Sequence, residues 1–226
     1  MSEGVGRMVT MSHNISYSTA DKAHVLAYLG SKGDLTGDQL RRLELMRNRA
    51  RAYQDNLDRQ GLDWGLSVPD ALEHLVAGRT DSDADCAGNA YTTALQFIID
   101  CNASDDSHLG TYSKPSTFFG LVDDEMRRLG VAADLLPHRY LFGGPPVEFP
   151  DIPWSMDGYP AIGHLPLART KDAADAYRAV LDRMDPDFHY DVQQLAAVLD
   201  AEHKEWERAT RDLDRYTQDT LFFRLV

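Results

Sequence analysis

The chain has 226 residues, 43% hydrophobic and 26% charged, which is enough for one sizeable core or two small ones. A net charge of −13 and a pI near 4.9 set its surface against phosphate backbones and anionic headgroups. Neither a nucleic acid nor a membrane is therefore an expected partner, whereas a basic protein or a cationic ligand fits; the same carboxylates also serve plain solubility.

The opening "MSEGVGRMVTMSHN" lacks the apolar stretch of a secretory signal, and Met8 or Met11 could equally start the chain. Residues 1–12 are read as a disordered arm and 13–226 as a single α+β domain. No apolar run approaches the roughly 18 residues that span a bilayer. Cys86 and Cys101, placed on one helix, lie fifteen steps or roughly 22 Å apart along its axis. A disulfide needs Cα atoms within about 7 Å, so two reduced thiols and a cytoplasmic location are expected.

In chain order, "NISYS" (14–18) alternates apolar and polar residues as a half-buried strand does. Ser18 and Asp21 then have capping-box spacing for a helix that Gly30 would stop. Thr36 and Gln39 cap a longer helix with an apolar stripe of Leu40, Leu43, Met46, Ala50, Tyr53 and Leu57, closed by Gly61. Ser67, Pro69 and Gly78 bound the next, whose stripe is Leu72, Leu75 and Val76. "DADCAGNAYTTALQFIIDC" places Ala87, Tyr91, Ala94, Leu95 and Ile98 on one face. "KPSTFFGLVDDEMRRLG" does the same with Phe118, Leu121, Val122, Met126 and Leu129.

From Pro137 to Pro166 the chain holds seven of its ten prolines, so this span is expected to be irregular, with a short strand at "AIGHL". Its aromatic content is too high for a linker, which predicts an ordered segment packed across the helices. Two more helices follow, one starting near Thr170 or Lys171 and one running through Asp191–Tyr216. The last residues, "TLFFRLV", put Leu221, Phe223 and Leu225 on one face and Phe222 and Arg224 on the other. A lone strand cannot satisfy its own backbone groups. The two chain ends are accordingly expected to pair in a small sheet covered by about seven helices.

"DWGLSVPDALEHLVAG", "YPAIGHLPLARTKDAADAYRAVLDRMD" and "WERATRDLDRYTQDTLFFRLV" resemble the YfbM-like family of small bacterial proteins. The resemblance implies an N-terminal strand, several helices and a long final helix with a terminal strand. It carries no assigned reaction, and some members sit among bacterial conflict and immunity genes.

Motifs for chemistry are few. Asp81, Asp83 and Asp85 have the alternate spacing of a calcium loop, but Cys86 replaces its glycine and Thr92 its last ligand. They read instead as acids favoured at a helix N-terminus. Asp70/His74, Asp200/His203 and His203/Glu207 have helical spacing for ligand pairs, short of what a carboxylate-bridged bundle needs. No metal and no cofactor is expected. Cys86 has acidic neighbours that oppose thiolate formation, and Cys101 reads as core.

The candidate site is the proline-rich span, where His138, Arg139, Tyr140, Trp154, Met156, Asp157, Tyr159 and His164 gather. Three readings stay open: aromatics plugging the core, a protein interface anchored by aromatic and arginine side chains, or the wall of a ligand pocket. The first functional expectation is a cytosolic, non-catalytic binding protein, for instance an immunity-type inhibitor of a basic toxin. The alternative is a small-molecule binder or enzyme with a pocket of about 300–1,000 Å³ under the span, using His138, His164 and Tyr140 as acid–base groups.

Overall fold

The computed structural model describes residues 12–158 and 160–226, apart from the side chain of Asp157; the arm expected at 1–12 lies almost wholly outside them. Four strands, β1 (His13–Ala20), β2 (Ser107–Tyr112), β3 (Ala161–Pro166) and β4 (Thr220–Leu225), form one antiparallel sheet in the order β2-β1-β4-β3. The chain ends do pair: Ile15 faces Leu225 and Ala20 faces Thr220 across the central β1–β4 ladder. Two further bonds, between Asn14 and Val226, extend it to the last residue. This answers the apolar terminus, because β4 has a strand on both sides and a core on both faces.

Eight α-helices cover the sheet among the described residues. Those of the first half, α1 (Lys22–Leu26), α2 (Gly37–Gln60), α3 (Val68–Ala77) and α4 (Ala87–Asp100), pack around Phe222 and Ile162 on one face. The remaining four, α5 (Pro115–Arg128), α6 (Pro137–Phe142), α7 (Leu167–Arg178) and α8 (Pro186–Asp212), enclose Ile15, Leu221, Phe223 and Leu225 on the other. The fold is α+β and dominated by helix. The period-two pattern of "LFFRL" thus splits its side chains between two cores, as expected.

The capping grammar is largely realised. Thr36 and Gln39 form the reciprocal box of α2, Ser67 caps α3, and Gly61 and Gly78 end these helices in the left-handed conformation. Other details differ. Ser18 belongs to β1, and Asp21 alone caps α1 by accepting from the His24 amide. Leu121 is 53% exposed because α5 turns Phe119, Val122 and Met126 inward instead. The proline-rich span is more regular than expected. Pro137 occupies the first turn of α6, where its missing N–H costs nothing, while the strand expected at "AIGHL" is present as β3. Likewise α7 starts at Leu167 and α8 at Pro186, earlier than the apolar stripes alone indicated. Cys86 and Cys101 flank α4, both as free thiols.

One helix is unusual. Every residue of α4 from Ala87 to Ile99 is buried, including the polar Asn89, Thr92, Thr93 and Gln96. A helix buried all round must find partners for its polar stripe, and that stripe leads to the site.

Candidate functional site

The polar edge of α4 holds the 153–156 stretch of the proline-rich span. Asn89 Oδ1 accepts from the Met156 amide at 2.8 Å, and Thr92 Oγ1 lies 3.2 Å from Ser155 Oγ. Ser155 Oγ also donates to the Pro160 carbonyl at 2.5 Å, closing the loop on itself. Gly88 lets the main chain come this near: a Cβ there would sit 2.1 Å from the Trp154 carbonyl oxygen. On the other side, Gly163 of β3 admits the α6 backbone, since its Cβ would lie 2.1 Å from the Tyr140 carbonyl oxygen. Two glycines therefore fix both margins of the span.

Between them lies a cavity of about 540 Å³. Its walls are the span itself, from Phe142 through Pro145, Pro146, Phe149, Pro153 and Trp154, closed by Ala161 and Ile162 of β3. Proline rings and aromatics make these walls apolar and stiff. Among the described residues the polar groups lining it are few: Thr92 of α4, Asp151 and Ser155 of the span, Ser116 of α5 and His138 of α6. Ser116 Oγ and His138 Nε2 are 3.0 Å apart. The His138 main-chain N–H donates to Asp123 Oδ1 at 2.9 Å, and its ring packs on Phe142 with centroids 4.9 Å apart. Burial pushes the Asp123 carboxyl above its ordinary range, while the His138 contacts pull it back.

The eight residues expected here separate. His138 and Trp154 line the cavity, and Trp154 is 83% exposed at its edge. Met156 is exposed beside it, and Arg139 points to solvent. Tyr140 is a correction. It is buried in the α5–α8 core, where its hydroxyl lies 2.9 Å from that of Tyr177, and burial drives its ionisation far up. A phenol so placed stays protonated and is no acid–base group for this cavity. His164 is also behind the wall: its Nδ1–H donates to the Gly144 carbonyl at 2.9 Å, and Gly144 lines the cavity. Asp157's side chain and Tyr159 lie outside the described residues.

Burial lowers the His164 pKa from 6.5, so its ring should titrate below that value when followed by NMR. The sign follows from linkage. The unfolded chain protonates this ring first, so its contribution is present above about pH 6.5 and fades as pH falls. A midpoint at or above 6.5 would contradict the burial of the ring, because the bond to the Gly144 carbonyl by itself raises the pKa.

Of the helical pairs considered as metal ligands, His203/Glu207 does meet, while His74 and Asp200 are taken up by other partners. His74 lies 2.8 Å from the Tyr91 hydroxyl, and Asp200 pairs with Arg178 and Lys204 at 3.1 and 2.7 Å. His203 contacts Glu207 at 3.3 Å and sits near the Leu167 carbonyl. What sequence reasoning missed is Ser116, Thr92, Asn89 and Gly88; for the three on α4, the run of small and polar residues through an otherwise apolar helix was the signal.

The fold and cavity together define a helix-dominated α+β protein with a proline-walled pocket at the β3 edge of its sheet. The chain belongs to the family described as a domain of unknown function, DUF7691, whose model matches residues 11–224. No curated protein and no solved structure matches it. Among the described residues, no helix is long and apolar enough to cross a membrane.

Proposed function

We propose that the chain binds a small, mostly apolar ligand in the cavity under its proline-rich span. The observation that carries this reading is the cavity itself, concave and about 540 Å³, within the range of ligand sites and lined by apolar walls with a few convergent polar groups. Preformed walls held by Gly88, Asn89 and Gly163 lower the ordering cost of binding. Titration with the neutral apolar dye N-phenyl-1-naphthylamine tests it. Saturable one-to-one binding is expected, weakened about 3- to 10-fold in Trp154→Ala, since an aromatic contact contributes about 0.5–1.5 kcal/mol. Absence of saturation, or equal affinity in the variant, would remove the reading.

A second reading rests on the exposed apolar side chains at the edge, Val147 at 95% and Trp154 at 83%. Such groups anchor protein partners, and the acidic surface favours a basic one, including the toxin partner of an immunity-type protein. The cytoplasmic location expected from the free thiols, and kinship with YfbM-like proteins, belong to the same proposal.

A further inference from the structure

Resting on the ligand-pocket reading, the contact between Ser116 and His138 suggests more than recognition. Both residues line the cavity, and their Oγ and Nε2 atoms are within hydrogen-bond distance at 3.0 Å. A hydroxyl next to an imidazole in a cavity is the arrangement by which an unreactive serine becomes a nucleophile. The surrounding structure supports that role in two ways. Ser116 follows Pro115 in the first turn of α5, whose preceding residue, Lys114, provides no side-chain cap. The amides of Ser116 and Thr117 therefore carry the positive end of a 14-residue helix without a side-chain acceptor. In addition, α5 supplies both the serine and, seven residues on, the buried Asp123 carboxylate that fixes the His138 backbone. One rigid element thus sets both members of the pair.

We infer that Ser116 and His138 form a nucleophile–base dyad that hydrolyses esters carrying an apolar acyl group. The acyl chain occupies the proline-lined cavity, and the ester carbonyl lies at Ser116. Oγ bonds to the carbonyl carbon as its proton passes to His138 Nε2, and the carbonyl π pair moves onto oxygen. The uncapped α5 amides are the donors available to that oxyanion. Collapse breaks the bond to the alkoxide, which leaves with the proton from His138. Water then gives a proton to Nε2 and attacks the acyl-serine; the carboxylic acid departs and Ser116 regains its hydrogen. The net reaction is ester plus water to acid plus alcohol, with no oxidant, reductant or metal required.

The test combines an alkyl fluorophosphonate, which traps activated serines, with p-nitrophenyl octanoate hydrolysis and dye binding on the same preparations. Expected is one phosphonyl adduct mapped to Ser116, absent from Ser116→Ala, together with nitrophenol release. His138→Gln should slow both by about 10²-fold or more, the usual contribution of a general base. Ser116 is half-exposed, so Ser116→Ala should keep the wild-type urea midpoint, which separates loss of chemistry from loss of folding. Dye binding without an adduct at Ser116 overturns the dyad and leaves the pocket reading standing. An adduct formed equally fast in His138→Gln also overturns it. If neither dye nor phosphonate reacts with the protein, both readings fall together.

Discussion

Replacing Phe223 with alanine is expected to lower folding stability by about 3–5 kcal/mol, the range for removing a fully buried aromatic ring. Phe223 is 1% exposed in the central strand, opposite Tyr17 of β1 and Gly163 of β3. Its ring packs on Tyr17 and Tyr140, with centroids 6.5 and 5.4 Å away. The site has little freedom to collapse after truncation. Gly163 has no side chain to move in, and Tyr140 is tethered through Tyr177, whose hydroxyl donates to the Leu135 carbonyl. A cavity left open adds its own cost to the lost transfer energy. Urea unfolding of the variant gives the measurement, with Leu213→Ala as control; Leu213 is exposed, and its loss should stay within about 0.5 kcal/mol. A change below about 1 kcal/mol for Phe223→Ala would mean that β4 does not hold the two cores together.

The same residues show why this fold is legible in the sequence. Alternation in "LFFRL" requires a strand with two different faces, and an apolar strand at a chain end requires neighbours on both sides. Those two statements predict β4 and its pairing with β1, and the structure has both. Helix caps were equally legible, because Thr36–Gln39 and Ser67 act through bonds only three residues long. Boundaries failed where proline opened an element: Pro137 and Pro186 sit in first turns, where a residue otherwise read as a breaker is tolerated. At the site, composition located the segment but not the inward-facing members. Tyr140 and Trp154 look alike in sequence, yet one is tied to Tyr177 in the core and the other stands in solvent. That choice is made by how α6 crosses β3 at Gly163, a contact between parts of the backbone more than twenty residues apart. Ser116 was hidden for the same reason, since only the packing of α5 against α6 brings it to His138.

Gly88→Ala should separate the pocket from the fold. Within a helix, alanine is favoured over glycine by about 1 kcal/mol, so intrinsic propensity alone predicts a more stable protein. At Gly88, however, the new methyl would fall 2.1 Å from the Trp154 carbonyl oxygen and 2.6 Å from that of Pro153. Both are main-chain atoms, so no side-chain rotation relieves the overlap; either α4 shifts within its core or the 153–156 stretch retreats. α4 is packed on all sides, whereas the loop is held by the Asn89–Met156 and Thr92–Ser155 contacts, two bonds contributing about 1 kcal/mol each. The loop is the weaker partner, and it carries Pro153, Trp154 and Ser155 of the cavity wall. Dye affinity is therefore expected to drop at least about tenfold, a change of about 1.4 kcal/mol, while folding stability falls by only about 1 kcal/mol, because helix propensity offsets about half of the two lost loop bonds. Gly120→Ala is the matched control: a Cβ there meets nothing within 4 Å, so stability should rise by about 0.5–1 kcal/mol with dye binding unchanged. Wild-type dye affinity in Gly88→Ala would show that the close contact between α4 and the Trp154 backbone does not shape the ligand site.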